Sequence, residues 1–272
     1  MPELPEVETV KRELAALIAD HPRIERFEFL RKDLRDPMPI RRLQALCGAR
    51  ILAITRRAKY LLIETEKGGI LSHLGMTGTW RVAGPGEELL HDHIYLYLSS
   101  GLRLAFRDPR RFGIFETYDL RELNRSPRLK SLGVEPLSDE FSAEYLFKKL
   151  KTKKAPLKTA LMDQKLVVGV GNIYASEALF RAGIKPQKRS DRITKEQAQR
   201  LVESIRSVLQ ESIDKGGSSI SDFLGTQGSE GSYQDSHQVY DRKGEMCVIC
   251  STPIKHSVMA GRSTYWCPSC QT

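Results

Sequence analysis

Four of the five cysteines stand close together near the C-terminus, as Cys247 and Cys250, then Cys267 and Cys270. The pattern is C-x2-C, sixteen intervening residues, then C-x2-C, a spacing that fits a four-thiolate zinc ribbon. Each C-x2-C pair offers two thiolates from one tight turn, and tetrahedral zinc wants four such soft ligands. Two disulfides are the competing reading, and a reducing cytosol disfavours them. A site with all four positions filled by protein is closed to substrate, so one structural Zn2+ is expected to hold a finger. Cys47 stands alone at the end of an apolar segment and reads as a small core residue.

The remaining length leaves room for two further domains with their own cores, in a chain of 272 residues that is 40% hydrophobic and 28% charged. Net charge is +9 and the pI about 9.3, which nominates a polyanionic partner without identifying it. No apolar run approaches the roughly 20 residues of a membrane span. The N-terminus lacks the basic-then-apolar pattern of a secretory signal, so a cytoplasmic protein is expected.

Periodicity divides the chain. After Pro5, the residues Val7, Val10, Leu14, Leu17 and Ile18 recur at helical spacing, predicting a helix to about Ala19. Pro5 suits a first helical turn, and Glu6 and Glu8 complement the helix dipole there. Short β-type runs follow at Ile24–Leu30, Arg50–Thr55, Tyr60–Thr65, Ile70–Leu74, Ile94–Leu98 and Leu102–Arg107, the last two joined by a Ser99-Ser100-Gly101 turn. Many short strands behind one helix predict a β-sandwich over residues 1–130. Helical patterns then take over at Asp139–Lys151, Leu157–Leu166, Asn172–Gly183 and Thr194–Lys215. Residues 131–236 are therefore expected to form a helical domain, with the finger at 237–272. Gly169-Val170-Gly171 precedes Asn172, which is placed as an N-cap; this turn either offers backbone N–H groups to a phosphate or is a plain tight turn. The Gly- and Ser-rich stretch from Gly216 to Gly231 predicts a mobile loop. His91-Asp92-His93 lacks a third convergent ligand and is not read as a metal site.

The first residues carry a chemical suggestion. A small residue after Met1 favours removal of the methionine, which would leave Pro2 as a secondary amine with Glu3 and Glu6 close behind. Terminal amines titrate near 7.7–8.0, so a useful fraction is uncharged at neutral pH. A neutral amine attacks electrophilic carbon and forms an iminium. Acidic residues in a first helical turn also have a purely structural use.

Five segments follow one another along the chain: Pro2-Glu3-Leu4-Pro5-Glu6-Val7-Glu8-Thr9-Val10, Ser72-His73-Leu74-Gly75-Met76-Thr77-Gly78, Asp108-Pro109-Arg110-Arg111-Phe112-Gly113, Gly169-Val170-Gly171-Asn172-Ile173-Tyr174, and the finger with Ala260-Gly261-Arg262 before its second cysteine pair. Together and in this order they resemble bacterial formamidopyrimidine-DNA glycosylases. The resemblance implies an α+β protein with an N-terminal β-sandwich, a helix–two-turns–helix module and a zinc finger. It also implies a base-excision repair enzyme, both DNA glycosylase and AP lyase, that removes 8-oxoguanine and formamidopyrimidines from double-stranded DNA held in a cleft between domains. Pro2 would be the nucleophile, Glu3 the proton-handling carboxylate and Glu6 its support. Met76, Arg110 and Phe112 would fill the space left when the damaged nucleotide is turned out of the stack. Lys59 joins the catalytic set and, with His73, Asn172, Tyr240 and Arg262, falls in segments matching the family's contacts to the DNA backbone. Lys158 is a further candidate near the lesion. Ser218, Ser219, Ile220, Ser221 and Phe223 match the lesion-covering loop.

Three departures from the family pattern bear on the site. Ala58 precedes Lys59, and Asp241 follows Tyr240, where glycine is common; Asp222 adds a charge inside the lesion loop. Two other readings compete. An endonuclease VIII-like glycosylase for oxidised pyrimidines shares the proline, but Leu4 and the set Met76, Arg110 and Phe112 argue against it. A noncatalytic zinc-ribbon DNA-binding protein would show the same charge and finger, yet gives Pro2 and Glu3 no purpose. A monomer with no small-molecule cofactor is expected.

Overall fold

The computed structural model describes residues 1–219, 224–226 and 228–272, the side chains of 124 and 125 excepted. It divides into two compact units. Unit 1 comprises Met1–Lys130 and Lys215–Ser232, and unit 2 comprises Ser131–Asp214 and Tyr233–Thr272.

Unit 1 is a sandwich of two antiparallel four-stranded sheets with a helix against it. The chain runs through α1 (Leu4–Leu17), β1 (Ile24–Phe29), α2 (Ile40–Gln44), β2 (Ile51–Arg57), β3 (Tyr60–Thr65), β4 (Gly68–His73), β5 (Thr79–Val82), β6 (Asp92–Leu98), β7 (Arg103–Arg107) and β8 (Ile114–Tyr118). One sheet has the order β1-β6-β7-β5, the other β2-β3-β4-β8. Val7, Val10 and Leu14 of α1 are buried with Ile24, Ile51, Ile63, Trp80, Ile94, Phe106 and Phe115 in one core. Each such side chain contributes about 1.5–3 kcal/mol on leaving water, which is what holds α1, and hence the N-terminus, in place. Cys47 packs at the edge of this core.

Unit 2 contains α3 (Ala143–Lys151), α4 (Leu157–Leu161), α5 (Asn172–Arg181), α6 (Lys195–Asp214) and the hairpin β9 (Lys255–Met259) with β10 (Arg262–Trp266). Its helices pack through Leu146, Leu150, Leu161, Leu179, Leu201, Ile205 and Val208, all buried. No helix among the described residues is long and apolar enough to cross a membrane.

Local chemistry explains where the predicted boundaries shift. The α3 helix starts at Ala143 rather than Asp139 because Ser142 accepts the Tyr145 N–H at 3.1 Å and caps it. Thr194 lies just outside α6, where it and Gln197 exchange backbone-to-side-chain bonds, each of 3.2 Å, in a capping box. The α4 helix stops at Leu161, short of the predicted Leu166, because Asp163 carbonyl accepts Leu166 N–H and Val168 pairs with Val134 in extended chain. The short strands β5 and β8 and the one-turn-and-a-half α2 were not predicted. Four or five residues flanked by Gly78, Gly113 or Pro39 give too little period to read.

Candidate active site

Pro2, Glu3 and Glu6 converge at the start of α1. Glu3 is its N-cap, Pro5 lies in its first turn, and Glu3 and Glu6 close a capping box, with Glu3 N–H donating to Glu6 Oε2 at 2.8 Å. Pro2 is buried and both carboxylates are only 2% exposed, unusual for side chains that normally seek water. The second oxygen of Glu6 accepts the N–H of Ser218 at 2.8 Å, so the same carboxylate ties residue 218 to the helix start. Ser219 lies beside it, its hydroxyl accepting Gly231 N–H at 2.8 Å. Ile220, Ser221, Asp222 and Phe223 lie outside the described residues.

A second group forms where the β4–β5 and β7–β8 connections meet. Gly75 (φ +65°) lets them touch: a Cβ there would lie 2.4 Å from the Phe112 carbonyl carbon and 2.6 Å from Gly113 N. The knot is Asp108, fully buried, which accepts the Thr77 hydroxyl and the Gly113 N–H, both at 2.7 Å. Thr77 in turn receives Arg110 N–H at 3.2 Å. The tips so held are Met76, exposed Arg110, and Phe112 at 42% exposure, with the Arg110 guanidinium 5.0 Å from the Phe112 ring centroid. A large aromatic left this open at a rigid turn suits contact with another molecule. Met1, Arg35, His73, Gly75, Met76 and Phe112 line a cavity of about 390 Å³. The sequence marks Asp108 only as part of a motif; its bonds make it the residue that organises the two turns.

His73 ends β4, across from Tyr60 of β3, whose ring centroid lies 4.8 Å away. Burial, and then the charges of Lys59, Arg35 and Arg128, lower its pKa to about 4. The imidazole is thus neutral at pH 7. Its Nδ1 accepts Gly75 N–H at 2.9 Å, which leaves the proton on Nε2 as a donor. Lys59, 8% exposed, sits in the β2–β3 turn. Ala58 takes the left-handed conformation there (φ +54°), at roughly 1–2 kcal/mol relative to glycine. Its carbonyl accepts Arg56 Nη1 at 2.9 Å, so the glycine-like turn persists without glycine. Asp92 of the His91-Asp92-His93 run is bound to Arg81 and Tyr95, and His93 Nε2 lies 2.9 Å from the Asp108 carbonyl.

In unit 2 the predicted residues meet around buried charges. Lys158 is only 1% exposed; its ammonium donates to Asn172 Oδ1 at 2.6 Å, Ser263 carbonyl at 2.8 Å and Thr264 Oγ1 at 2.9 Å. It is an internal strut joining α4, α5 and β10, not a surface cation. The placement of Asn172 as an N-cap is corrected as well: Gly171 is the cap, and the Asn172 side chain accepts Lys158 instead. The glycine turn before it is largely a plain turn, since Gly169 N–H already donates to Gln164 Oε1 at 2.8 Å. Arg262 is exposed, following the Ala260-Gly261 turn of the hairpin, both residues left-handed. Tyr240 N–H donates at 2.8 Å to Glu177, whose carboxylate also accepts the N–H groups of Gln238 and Val239. Burial raises the Glu177 pKa against the opposing effect of these three bonds. Glu177 was missed; its signal is a lone acid inside the apolar run Ala175-Ser176-Glu177-Ala178-Leu179. Asp241 accepts the left-handed conformation (φ +59°) usual for glycine, and its carboxylate binds Tyr265 OH at 3.1 Å.

The four finger thiols lie within 4.8 Å of one another, with Cys250 and Cys267 sulfurs 3.4 Å apart and Cys247 and Cys270 sulfurs 3.8 Å apart. Disulfides need about 2.05 Å, whereas a tetrahedron with Zn–S of about 2.3 Å separates its sulfurs by about 3.8 Å. The set fits zinc, bound structurally.

Comparison with known proteins agrees with this layout. Residues 1–115 match the formamidopyrimidine-DNA glycosylase N-terminal domain, residues 132–224 the formamidopyrimidine-DNA glycosylase H2TH domain, and residues 244–272 the zinc finger found in FPG and IleRS. The chain is 54% identical over 271 residues to formamidopyrimidine-DNA glycosylase of Bdellovibrio bacteriovorus, and 44% identical over 276 residues to that of Burkholderia multivorans, covering 100% of each chain in both cases. Among solved structures it resembles the MutM (FPG) protein of Thermus thermophilus, with TM-score 0.90 and 41% identity over 99% of this chain and 98% of that one. A Lactococcus lactis FPG mutant in complex with Fapy-dG-containing DNA gives TM-score 0.92 and 35% identity over 99% of both chains. Matched by the family's domain models along most of its length and by full-length relatives at up to 54% identity, the chain belongs to the formamidopyrimidine-DNA glycosylase family of DNA base-excision repair enzymes.

Proposed function

We propose that the protein is a bifunctional glycosylase and AP lyase for oxidised purines, 8-oxoguanine and formamidopyrimidines, in double-stranded DNA, with Pro2 as nucleophile. The observation that carries this reading is the joint burial of Pro2, Glu3 and Glu6 at the start of α1. Once Met1 is removed, the Pro2 nitrogen attacks C1′, the bond from C1′ to the damaged base breaks, and the base leaves with a proton. Opening of the sugar gives an iminium, which acidifies the C2′ protons. Loss of one of these expels the 3′ phosphate, a second elimination expels the 5′ phosphate, and water finally frees Pro2. Glu3 handles protons at the sugar, being within one residue of the amine; Glu6 holds the geometry through its bonds to Glu3 and Ser218.

Met76, Arg110 and Phe112 enter the vacated space, an apolar wedge, a donor to the orphaned cytosine and a ring to stack. Lys59, His73, Asn172, Tyr240 and Arg262 hold DNA phosphates, which fixes register without reading sequence. Lys158 serves by presenting Asn172. Ser218 and Ser219 open the lesion-covering loop, to which Ile220, Ser221 and Phe223 are assigned from sequence alone. Functionally the chain divides at 1–130, 131–236 and 237–272, and the enzyme acts as a monomer in the bacterial cytoplasm, at the nucleoid where its substrate lies, without a small-molecule cofactor.

Borohydride trapping tests the reading on a duplex carrying 8-oxoguanine opposite cytosine, with oxidised-pyrimidine and undamaged controls. A covalent adduct at Pro2, strongest with 8-oxoguanine, is expected. An adduct mainly with oxidised pyrimidine would move the substrate to the endonuclease VIII type. Tight binding with no adduct, Pro2 being free, would leave a noncatalytic DNA-binding protein.

A further inference from the structure

The α1 helix also bears a half-buried carboxylate, Glu13, that the proposed chemistry does not use. Glu13 lies seven residues after Glu6, two turns on and therefore on the same stripe of the helix. Its Oε2 accepts Thr226 N–H and its Oε1 accepts the Ser229 hydroxyl at 2.9 Å. The turn it grips is closed by Gly225 N–H to the Ser229 carbonyl at 2.8 Å and Gly228 N–H to the Gly225 carbonyl at 2.9 Å. β5 holds the same turn from the other side: Val82 N–H donates to the Thr226 carbonyl at 3.0 Å, and the Thr79 hydroxyl to the Leu224 carbonyl at 3.0 Å. A Cβ at Gly225 would lie 2.2 Å from Ser229 Oγ and 2.5 Å from Glu13 Oε1, so a side chain there would push these two groups out of their present contact.

We infer that Glu13 is a positioning residue for lesion recognition, fixing the returning limb of the 218–229 segment to the same helix that carries the nucleophile. Glu6 holds Ser218 at the start of the segment and Glu13 holds Thr226 and Ser229 at its end. The two grips are about 10 Å apart along α1, from a rise of about 1.5 Å per residue. Both described ends of the segment are thus tied to the helix that follows Pro2. The inference rests on the reading of this segment as the lesion-covering loop. Its expected consequence is selective: a device that places the damaged base matters to base removal and not to cleavage where the base is already gone.

The test compares Glu13→Ala, Glu13→Gln and Ser229→Ala in the full-length zinc-loaded enzyme, on an 8-oxoguanine duplex and on a duplex with a preformed abasic site. Glutamine keeps both bonds, its carbonyl accepting Thr226 N–H and its amide donating to the Ser229 hydroxyl. Hydrogen bonds to a charged group are worth about 1.5–3 kcal/mol, or roughly a tenfold effect or more. Glu13→Ala is therefore expected to lower kcat/KM for base excision at least about tenfold, with abasic-site cleavage within about twofold of wild type. Glu13→Gln should restore excision, and Ser229→Ala should fall between. Equal loss on both substrates with a lowered unfolding temperature, or no loss on either, would overturn the inference. Failure of the underlying reading is separate, since wild type would then itself show no preference for the 8-oxoguanine duplex.

Discussion

Unit 1 carries its tips Met76, Arg110 and Phe112 on a core that includes Trp80, Phe106 and Phe115, whereas the finger of unit 2 rests on Phe180, Val239, Ile254, Tyr265 and two of its own cysteines. The tips of the first are tied by one buried carboxylate, Asp108, accepting from Thr77 and Gly113. Those of the second are tied by a buried ammonium, a buried carboxylate and four thiols, in Lys158, Glu177 and the cysteine quartet. Where apolar burial is ample, a single polar knot suffices to order a loop. Where it is thin, charge and metal must replace it, because small cores seldom offset the entropy of the ordered chain.

Metal removal should break this comparison most sharply. Zinc contributes on the order of 10 kcal/mol to the folding of small metal-held modules, far more than the finger's few buried side chains. The two tryptophans report separately: Trp80 is fully buried in unit 1, and Trp266 sits in β10 beside the ligand Cys267. Chelation is expected to red-shift Trp266 emission and abolish tight DNA binding while Trp80, read alone in a Trp266→Phe variant, stays unchanged. A loss of DNA binding without any change at Trp266 would mean that the finger folds without metal.

The two polar knots should respond next, and differently. Lys158→Met removes the donor to Asn172 Oδ1 and the Ser263 carbonyl inside unit 2, where each unsatisfied group costs about 1–3 kcal/mol, while Thr264 Oγ1 keeps its bond to the Arg262 carbonyl. Binding of undamaged DNA should weaken about tenfold with unit 2 destabilised, since both Asn172 and the Arg262 hairpin lose their tie. Asp108→Asn keeps an acceptor for one of its two donors, so unit 1 should lose only about 1–2 kcal/mol. Its effect should fall on excision rather than on binding, because Met76, Arg110 and Phe112 act only after the nucleotide leaves the stack. Equal binding defects in both variants would erase the distinction between the two designs.

Sequence reading reached the residues that chemistry constrains by type and spacing. The cysteine quartet, α1 and β3 were legible because thiol spacing and residue period leave a local trace, whereas Met76, Arg110 and Phe112 stood out only through the family resemblance. The supports were not. Asp108, Glu177 and Glu13 act through contacts distant in sequence, 31 residues from Thr77 for Asp108 and 213 from Thr226 for Glu13. Lys158 shows the limit from the other side: the resemblance offers it as a candidate near the lesion, and only its burial and three bonds show it to be an internal strut. Ala58 and Asp241 seemed to threaten turns that glycine usually makes, yet both hold the left-handed conformation. Identity at those positions sets the cost of the turn, not its shape.

The smallest expected effect concerns a feature the units share. Each holds a histidine neutral: burial, first of all, lowers both His73 in unit 1 and His237 in unit 2 to about 4, with nearby cations adding to it at His73 and Asp241 and Asp235 opposing it at His237. In an unfolded chain both would titrate near 6.5. Between these values the unfolded chain binds protons that the folded units refuse, so their stability is full above about pH 6.5 and declines as pH falls toward 4. His73→Gln keeps a side-chain acceptor for Gly75 N–H but removes the titration. It should flatten that decline for the unfolding transition read at Trp80, and His237→Gln should leave the same transition unaltered. A Trp80 transition whose pH slope survives His73→Gln would place the proton uptake elsewhere in unit 1, and the neutral Nε2–H donor assigned to His73 would lose its basis.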